Sequence, residues 1–518
     1  MKRMISCLLA LLMILLCGIP ICSADAEPPY EAVADTDGLS DPAATGAARE
    51  LSPAGDIPIP KIEIDTADGR GAQLLKADGY VDAQISITDT DGGNLSGAIQ
   101  FKVRGNSTAI DSIPKKGFTF KYDKKTNVLG MGKGKKWALL ANCFDPTLLR
   151  NYLIFDLAER LGLPYVSNQC YAELWLDGSY RGCYTVYEPV QEGTDRVDID
   201  TDGNKDFLLE YEASRSEDDI TYINISGVRF AISEPDPPDD DQTAYITDVM
   251  TDIASTMRYG TQEQIREKLD IDSFAKYYLL NEYAKTLDFG MSSVFFFYKD
   301  GKLYAGPPWD YDLALGNANS ELQSPAAKEG ARSDGIMQAS KNLYRWLGNK
   351  SWFIDEVRRV YAAYYDDFAA ISSDGGTLDT LRAEYQSLFN RNFGIWKVSR
   401  WWLNYQRVPL ATYEDNYSFL KNWCSERNTW LTEYYGLSPY TYVVGDADGN
   451  GEVEIIDVTL IQRYLANIPT TLDDRAVIRC AVTGEELGVI DATVIQRFLS
   501  EMNPPYPIGE QKTVMVVG

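Results

Sequence analysis

The chain has no histidine among its 518 residues. That absence removes Ser-His-Asp and Cys-His nucleophile relays, together with the histidine ligand sets of the usual zinc hydrolases. Any chemistry here has to run on carboxylates, Lys, Arg, Tyr or a bound metal. Cysteine is scarce as well. Three of the eight cysteines lie in the first 22 residues, which leaves Cys143, Cys170, Cys183, Cys424 and Cys480. Five cysteines with no CxxC form neither a disulfide framework nor a zinc set. Cys170 and Cys183 sit in neighbouring strand-like segments where pairing is open, and buried free thiols are the expectation. Cations are outnumbered 49 to 76, for a net charge of −27, and such a field repels nucleic acid and anionic lipid, so neither is an expected partner. Long apolar runs are missing except at the start. After Lys2-Arg3 an apolar stretch from Met4 to Ile21, broken by Gly18 and Pro20, ends at Ala24-Asp25-Ala26. This has the form of a secretory leader cleaved after Ala26. No later run is long enough to span a bilayer, so a secreted, extracellular protein without a membrane partner after cleavage is expected.

Residues 27 to about 55 are rich in Ala, Asp, Pro and Gly without periodicity and read as a flexible linker. From Pro58 the pattern alternates in strand fashion through KIEID, VDAQISITD, AIQFKVRG and FTFKYD. Residues 146–163 follow Asp145 with helical spacing, and strands return on either side of a hairpin turn at Asp177-Gly178. An acidic, proline-rich loop at 233–241 precedes a mostly helical, aromatic-rich half, interrupted by a strand pair within 294–312. The aromatic clusters at 396–402 and 422–435 recur at helical spacing and read as core. One large α+β domain over 56–437 is expected, then a small all-α module over 443–503 and a C-terminal tail over 504–518.

The small module contains a duplicated loop and helix. Asp446, Asp448, Asn450 and Asp457 occupy positions 1, 3, 5 and 12 of a twelve-residue loop, with Gly451 at position 6. The backbone carbonyl of Glu452 falls at position 7. This is the oxygen spacing that a calcium ion requires. A second copy lies 34 residues on (491 − 457), and seven of fourteen positions match between 455–468 and 489–502. Its loop has decayed. Counting back from Asp491 puts Cys480, Val482 and Gly484 at positions 1, 3 and 5, and a one-residue deletion offers Thr483 and Glu485 instead. One firm calcium site and one weak site at Asp491 are expected. Two such units resemble a dockerin, which implies attachment to a cohesin-bearing scaffold of the cellulosome type in a bacterial cell-surface complex. Cohesin contacts are expected at the helix starts, through Ile455, Ile456, Gln462 and Arg463 in one copy and Val489, Ile490, Gln496 and Arg497 in the other.

In the large domain, Phe101-Lys-Val-Arg104-Gly105-Asn106-Ser107-Thr108, Lys115-Lys116-Gly-Phe-Thr-Phe-Lys121, Leu149-Arg150-Asn151, Asp288 and Trp309-Asp310-Tyr-Asp312 occur in one order. This series resembles the CotH family of atypical protein kinases. The resemblance implies a two-lobed kinase-like fold and Mg-ATP phosphoryl transfer to protein hydroxyls. Phosphoryl transfer needs a cation on the triphosphate, carboxylates on magnesium and a carboxylate to orient the attacking hydroxyl. Lys121 resembles the family's phosphate-binding lysine. Arg104 and Asn106 sit in a Gly-Asn-Ser-Thr turn whose amides form a candidate anion nest. Asp310 and Asp312 flank Tyr311, and on an extended backbone both face one magnesium ion. Asp288 matches the family's catalytic aspartate, and Glu188 or Glu210 is a candidate partner for Lys121. Leu287 stands where the family usually has a polar residue.

Three functions remain open on these residues. They are a secreted kinase, a catalytically silent kinase-fold component of the assembly, and a carbohydrate-active enzyme that uses the carboxylate pair as acid and nucleophile. The last rests on the company dockerins usually keep.

Overall fold

A computed structural model describes residues 58–203, 205–213, 215–217, 220–397, 405–473, 475–484, 486–502 and 504–518. The leader over 1–26, the linker over 27–55 and Glu485 lie outside the described residues. The described chain is a mixture of helices and mostly antiparallel sheets, as the α+β expectation has it, and it divides into two compact units.

The larger unit begins with a closed barrel. Its strands are β1 (Lys61–Thr66), β2 (Val81–Thr88), β3 (Asn94–Arg104), β4 (Gly117–Asn127), β5 (Lys133–Leu140), β6 (Gln169–Leu176) and β7 (Ser179–Tyr187), in the order β1-β2-β3-β4-β5-β7-β6. Parallel pairing of β6 with β1 closes the ring, so no edge strand is left to aggregate. The alternation read in the sequence has a direct cause here. Ile62 and Ile64, Ile85 and Ile87, Phe101 and Val103, and Phe118 and Phe120 all face one packed interior. Residues that alternate with this inward set, such as Lys102 between Phe101 and Val103 and Lys121 between Phe120 and Tyr122, therefore face outward. Asp177 and Gly178 both have positive φ, 48° and 75°, which a two-residue hairpin turn between β6 and β7 requires.

A five-stranded antiparallel sheet follows, from β8 (Phe207–Tyr211), β9 (Tyr222–Ile225), β10 (Val228–Glu234), β11 (Val294–Lys299) and β12 (Lys302–Ala305), in the order β12-β11-β8-β10-β9. The helices of this unit include α1 (Arg150–Arg160), which precedes β6. Between β10 and β11 come α2 (Asp240–Tyr259), α3 (Gln262–Lys268) and α4 (Ile271–Ala284). The last acids of the 233–241 loop start α2, where Asp239 and Gln242 form a reciprocal capping box. Helix α1 begins later than its spacing predicts. The Asp145 carboxylate accepts the amides of Thr147 and Arg150 at 2.9 and 2.8 Å, which organises 146–149 as a turn rather than a first helical turn. After β12 come α5 (Pro325–Ala331), α6 (Ser351–Ala363), α7 (Tyr365–Ser372), α8 (Thr377–Ile395) and α9 (Tyr413–Tyr434).

The smaller unit comprises residues 358–365 and 432–518. It holds β13 (Leu437–Val443), α10 (Ile455–Leu465), α11 (Ala476–Cys480), α12 (Val489–Leu499) and β14 (Gln511–Val517). Val458, Ile461, Cys480, Ala492 and Ile495 form its core. The expectation of an all-α module needs correction. The stretch set apart as a tail supplies β14, which pairs antiparallel with β13 from Leu437↔Val517 to Val443↔Gln511. The alternating KTVMVV of this strand is short and terminal, so its period alone does not mark it as a strand. All five cysteines described are free thiols.

A buried ion pair ties α4 to α9. Glu282 and Arg427 have no exposed side-chain surface and approach to 3.1 Å. Glu282 also accepts the amides of Met337 and Gln338, both at 2.8 Å, and Arg427 donates to the carbonyls of Ser333 and Gly335. Removing one partner strands a buried charge. Glu282→Ala is therefore expected to lower unfolding stability by about 3–5 kcal/mol, measured by urea denaturation. Glu282→Leu combined with Arg427→Met should recover part of that loss, and a double variant no better than the single would contradict the stranded-charge account.

Candidate functional site

The loop after β12 and the turn after α4 bring three carboxylates together. One oxygen from each of Asp288, Asp310 and Asp312 lies within 4.8 Å of the other two, and all three residues are half-buried. At that separation and an effective dielectric of about 20, each pair of full charges repels by on the order of 3 kcal/mol.

The sequence route to this convergence was partly wrong. Asp310 and Asp312 do not alternate along an extended strand. Asp310 has φ +64°, in the left-handed region where Asp is among the tolerated non-glycine residues. The segment is held from both sides instead. Tyr311 donates its amide to Asn151 Oδ1 of α1 at 2.6 Å and its hydroxyl to Asn281 of α4 at 3.0 Å. Asn317 donates its side-chain amide to the Asp312 carbonyl at 2.6 Å. Arg150, paired with Asp145 at 2.6 Å in full burial, donates to the Ala314 carbonyl at 3.0 Å. Asp288 opens a short 3-10 turn, Asp288–Gly290, and its carbonyl accepts the amides of Met291 and Ser292.

Electrostatics follow the crowding. Burial, then the charge of Asp310, pushes the Asp288 carboxyl well above the usual range. Burial raises Asp310 too, against the pull of Arg104, Arg215 and a hydrogen bond from Ser293. Asp312 is raised well above by burial, with Asp310, Asp288 and Asp145 adding to the effect. A backbone hydrogen bond at Leu313 opposes the rise. Behind the cluster, Glu210 is pushed up to about 7 by burial and accepts the Ser293 amide at 3.2 Å.

Of the predicted cation and nest residues, the structure brings Arg104 to the cluster and leaves the others apart. Arg104 ends β3, lies 5.4 Å from the Trp309 ring centroid, and feels the Asp310 charge against the burial that lowers its own pKa. Asn106 is exposed and accepts from Lys76 at 2.7 Å. Lys121 pairs in register with Gln100, whereas Arg104 pairs with Gly117, so the two cations stand four residues apart along the strand, roughly 13 Å. Neither candidate carboxylate meets Lys121. Glu188 lies 3.6 Å from Arg196, and Glu210 faces Ser293. Arg215 was missed. It bonds Ser292 Oγ and Glu212, the latter at 3.1 Å, from an irregular acidic stretch that offers no periodic signal.

In the smaller unit Asp446, Asp448 and Asp457 form a second cluster, again with oxygens within 4.8 Å of one another. Asp446 accepts the amides of Gly449, Asn450 and Gly451, and Asp457 accepts those of Ala447 and Glu454. Asn450 Oδ1 accepts the Glu452 amide at 2.8 Å, and Gly451 has φ +98° at the sharp turn. In the second copy Asp491 accepts the amide and hydroxyl of Thr483, both at 2.8 Å, and the amide of Gly488 at 2.7 Å. Among the described residues it joins no cluster of three carboxylates. Ile455, Ile456, Val489 and Ile490 are 61, 43, 68 and 66% exposed. Gln462, Arg463, Gln496 and Arg497 are exposed beside them.

With this geometry in place, the family model described as CotH kinase protein matches residues 101–431. No curated protein matches the chain.

Asp312 gives a direct test of the crowding. A carboxyl raised in the folded state destabilises the fold once pH exceeds its ordinary value of 3.8, because the unfolded chain releases the proton first. Asp312→Asn should therefore raise Tm at pH 7 in chelator, by roughly 1–3 °C for a domain of this size. The same change should remove any rise in Tm on adding magnesium. A lower Tm in chelator would show that Asp312 is held by favourable contacts rather than strained by repulsion.

Proposed function

The chain belongs to the CotH kinase protein family, and from that premise we propose a two-lobed, ATP-dependent protein kinase whose centre is the carboxylate cluster of the larger unit. The observation that carries this reading is the approach of Asp288, Asp310 and Asp312 to within 4.8 Å of one another. The donors are all hard carboxylate oxygens, which suit magnesium and not a thiolate- or imidazole-seeking ion. Asp310 and Asp312 would hold that ion with the triphosphate, where it would neutralise charge on the transferring phosphoryl group. Arg104 holds a phosphate oxygen from the barrel side. Asp288 orients the acceptor hydroxyl and takes its proton on a carboxylate oxygen. Arg215 and Ser292, on the Asp288 side, position that turn.

A silent kinase-fold component is the second reading, favoured by one observation. Lys121 has neither Glu188 nor Glu210 as a partner, so the lysine-glutamate bridge that kinases use to hold the phosphates is not formed. Binding and turnover separate the two. Mg-ATP should raise the Tm of the full chain and label a hydroxyl-bearing protein acceptor with the γ-phosphate. Asp310→Ala should lose both effects, and Asp288→Asn should keep the shift while losing at least about a hundredfold in transfer. A shift without any transfer in the unaltered protein would establish the silent reading. No shift at millimolar nucleotide would sink both.

For the smaller unit we propose a dockerin that holds one calcium ion and attaches an exported chain to a cohesin scaffold. Asp446, Asp448, Asn450 and Asp457, with the Glu452 carbonyl, are the ligands in this reading. The exposed quartet Ile455, Ile456, Val489 and Ile490, flanked by the Gln-Arg pairs, is the docking face. Asp491 is a weak site at most, because a threonine hydroxyl occupies the oxygen that an ion would need. Asp446→Ala with Asp457→Ala should abolish the calcium-dependent rise in amide protection over 443–503 seen by hydrogen exchange. Binding to a cohesin that survives both EGTA and this double change would rule the reading out.

A further inference from the structure

In the smaller unit one side chain crosses from the decayed copy to the intact loop. Arg479 lies in the last turn of α11, 34 residues after Gly445 (479 − 445), so in the second copy it holds the place just before the loop's first position. Its side chain is only 3% exposed. Nε donates to the Asp446 carbonyl at 2.8 Å, Nη2 to the Ala447 carbonyl at 2.7 Å and Nη1 to the Tyr440 hydroxyl at 2.7 Å. Asp473 meets the same guanidinium at 2.7 Å and offsets its charge. The Arg479 carbonyl in turn accepts the Gly445 amide at 2.8 Å. Main chain and side chain of one residue thus hold the backbone from which Asp446 projects.

None of these contacts uses a carboxylate of the loop. The oxygens of Asp446, Asp448 and Asp457 that lie within 4.8 Å of one another are hard donors of the kind calcium takes, and Arg479 touches only the main-chain carbonyls at positions 1 and 2. A guanidinium is a rigid fork, so it fixes both carbonyls in one arrangement. On its other side the chain runs straight into the second copy. Cys480 follows, fully buried in the core of the unit. Three residues later (483 − 480) Thr483 donates its amide and hydroxyl to Asp491, which also accepts the Gly488 amide at the start of α12. The exposed Val489 and Ile490 come next. One short segment therefore joins the first loop to the second helix start.

We propose that Arg479 is a positioning residue for the first calcium loop and links it to the start of α12, so that one ion orders both halves of the exposed face. With an ion on the loop side chains the backbone at 446–447 is fixed, and this is the backbone that the guanidinium grips. Ion and brace favour the same arrangement, so each strengthens the other. The second copy then needs no ion of its own, because the Thr483–Asp491 bonds hold its helix start once the segment before them is anchored. The proposal rests on the reading of residues 446–457 as a calcium site.

Calcium titration by calorimetry, with hydrogen exchange in calcium and in EGTA, tests this on the full chain. In the unaltered protein one calcium ion should bind, and amide protection should rise over both 446–457 and 488–499. Arg479→Met should weaken calcium by at least about tenfold. At saturating calcium it should keep the rise over 446–457 and lose the rise over 488–499. Arg479→Lys, which keeps the charge but reaches one carbonyl at a time, should fall between the two. Arg479→Met that binds calcium with the unaltered affinity, or keeps the full rise over 488–499, overturns the proposal. So does a lack of protection across 443–503 in both variants at saturating calcium, which would make Arg479 a residue of the fold alone. A rise confined to 446–457 in the unaltered protein would overturn the link and keep the calcium reading, whereas no calcium binding at all would overturn the calcium reading itself.

Discussion

The larger unit is organised around a repulsion. Three carboxylates approach to within 4.8 Å of one another in half-buried surroundings, and burial raises the pKa of each. Asp288 and Asp310 have arginines within electrostatic reach, whereas Asp310, Asp288 and Asp145 all push Asp312 further up. Such a cluster persists only if the backbone beneath it is held by something stronger. Asn151, Asn281 and Asn317 grip Tyr311 and Asp312 through neutral hydrogen bonds, and the buried Asp145–Arg150 pair extends that grip to Ala314. The contacts to Tyr311 and Asp312 themselves are made by neutral asparagine amides rather than by further charge. This grip therefore holds the acids together without adding a counter-charge beside Asp312.

The smaller unit meets the same difficulty differently. Asp446 and Asp457 are satisfied by backbone amides of their own loop, so their charge is already spread over several N–H groups. In the decayed copy a side-chain hydroxyl completes the arrangement, since Thr483 supplies both donors to one oxygen of Asp491. Arg479 then fits against the first loop, donating to the carbonyls of Asp446 and Ala447 at 2.8 and 2.7 Å. Loss of acids from the second loop thus accompanies a cation that braces the first, and the two repeats are no longer equivalent in charge or in backbone support.

Much of this was legible in the residues because it depends on local pattern. Alternating strands, the Asp177-Gly178 turn and the oxygen spacing of 446–457 follow from period and residue type alone. Other features depend on pairs far apart in the chain. The meeting of Asp288 with Asp310 could be expected from family order. The left-handed turn at Asp310 that brings it about carries no mark, since Asp is common in many conformations. Arg215 carries no periodic signal because it sits in an irregular stretch, and its distant partner Ser292 is met only through tertiary packing. Strand β14 was read as a tail because a terminal strand means nothing until its partner at 437–443 is known. Glu188 was seen, and its partner was not: Arg196 lies eight residues on, in an irregular segment, and closes on it only through tertiary packing.

The position of Lys121 bears on how the proposed chemistry is divided. In the barrel β3 and β4 run antiparallel, so the register fixes Lys121 four residues from the level of Arg104 on the same outward face. The two cations therefore stand at different levels of the β3–β4 pair. Arg104 is one of two cations at the carboxylates, with Arg215, and its guanidinium lies over Trp309 and feels the Asp310 charge. Arg forms a rigid fork suited to phosphate oxygens, whereas Lys is a mobile point charge. The site thus puts the more directional cation where the reacting group would sit and the more mobile one further along the face. In the proposed kinase reading, alignment of the transferring phosphate would rest on Arg104 and the acids.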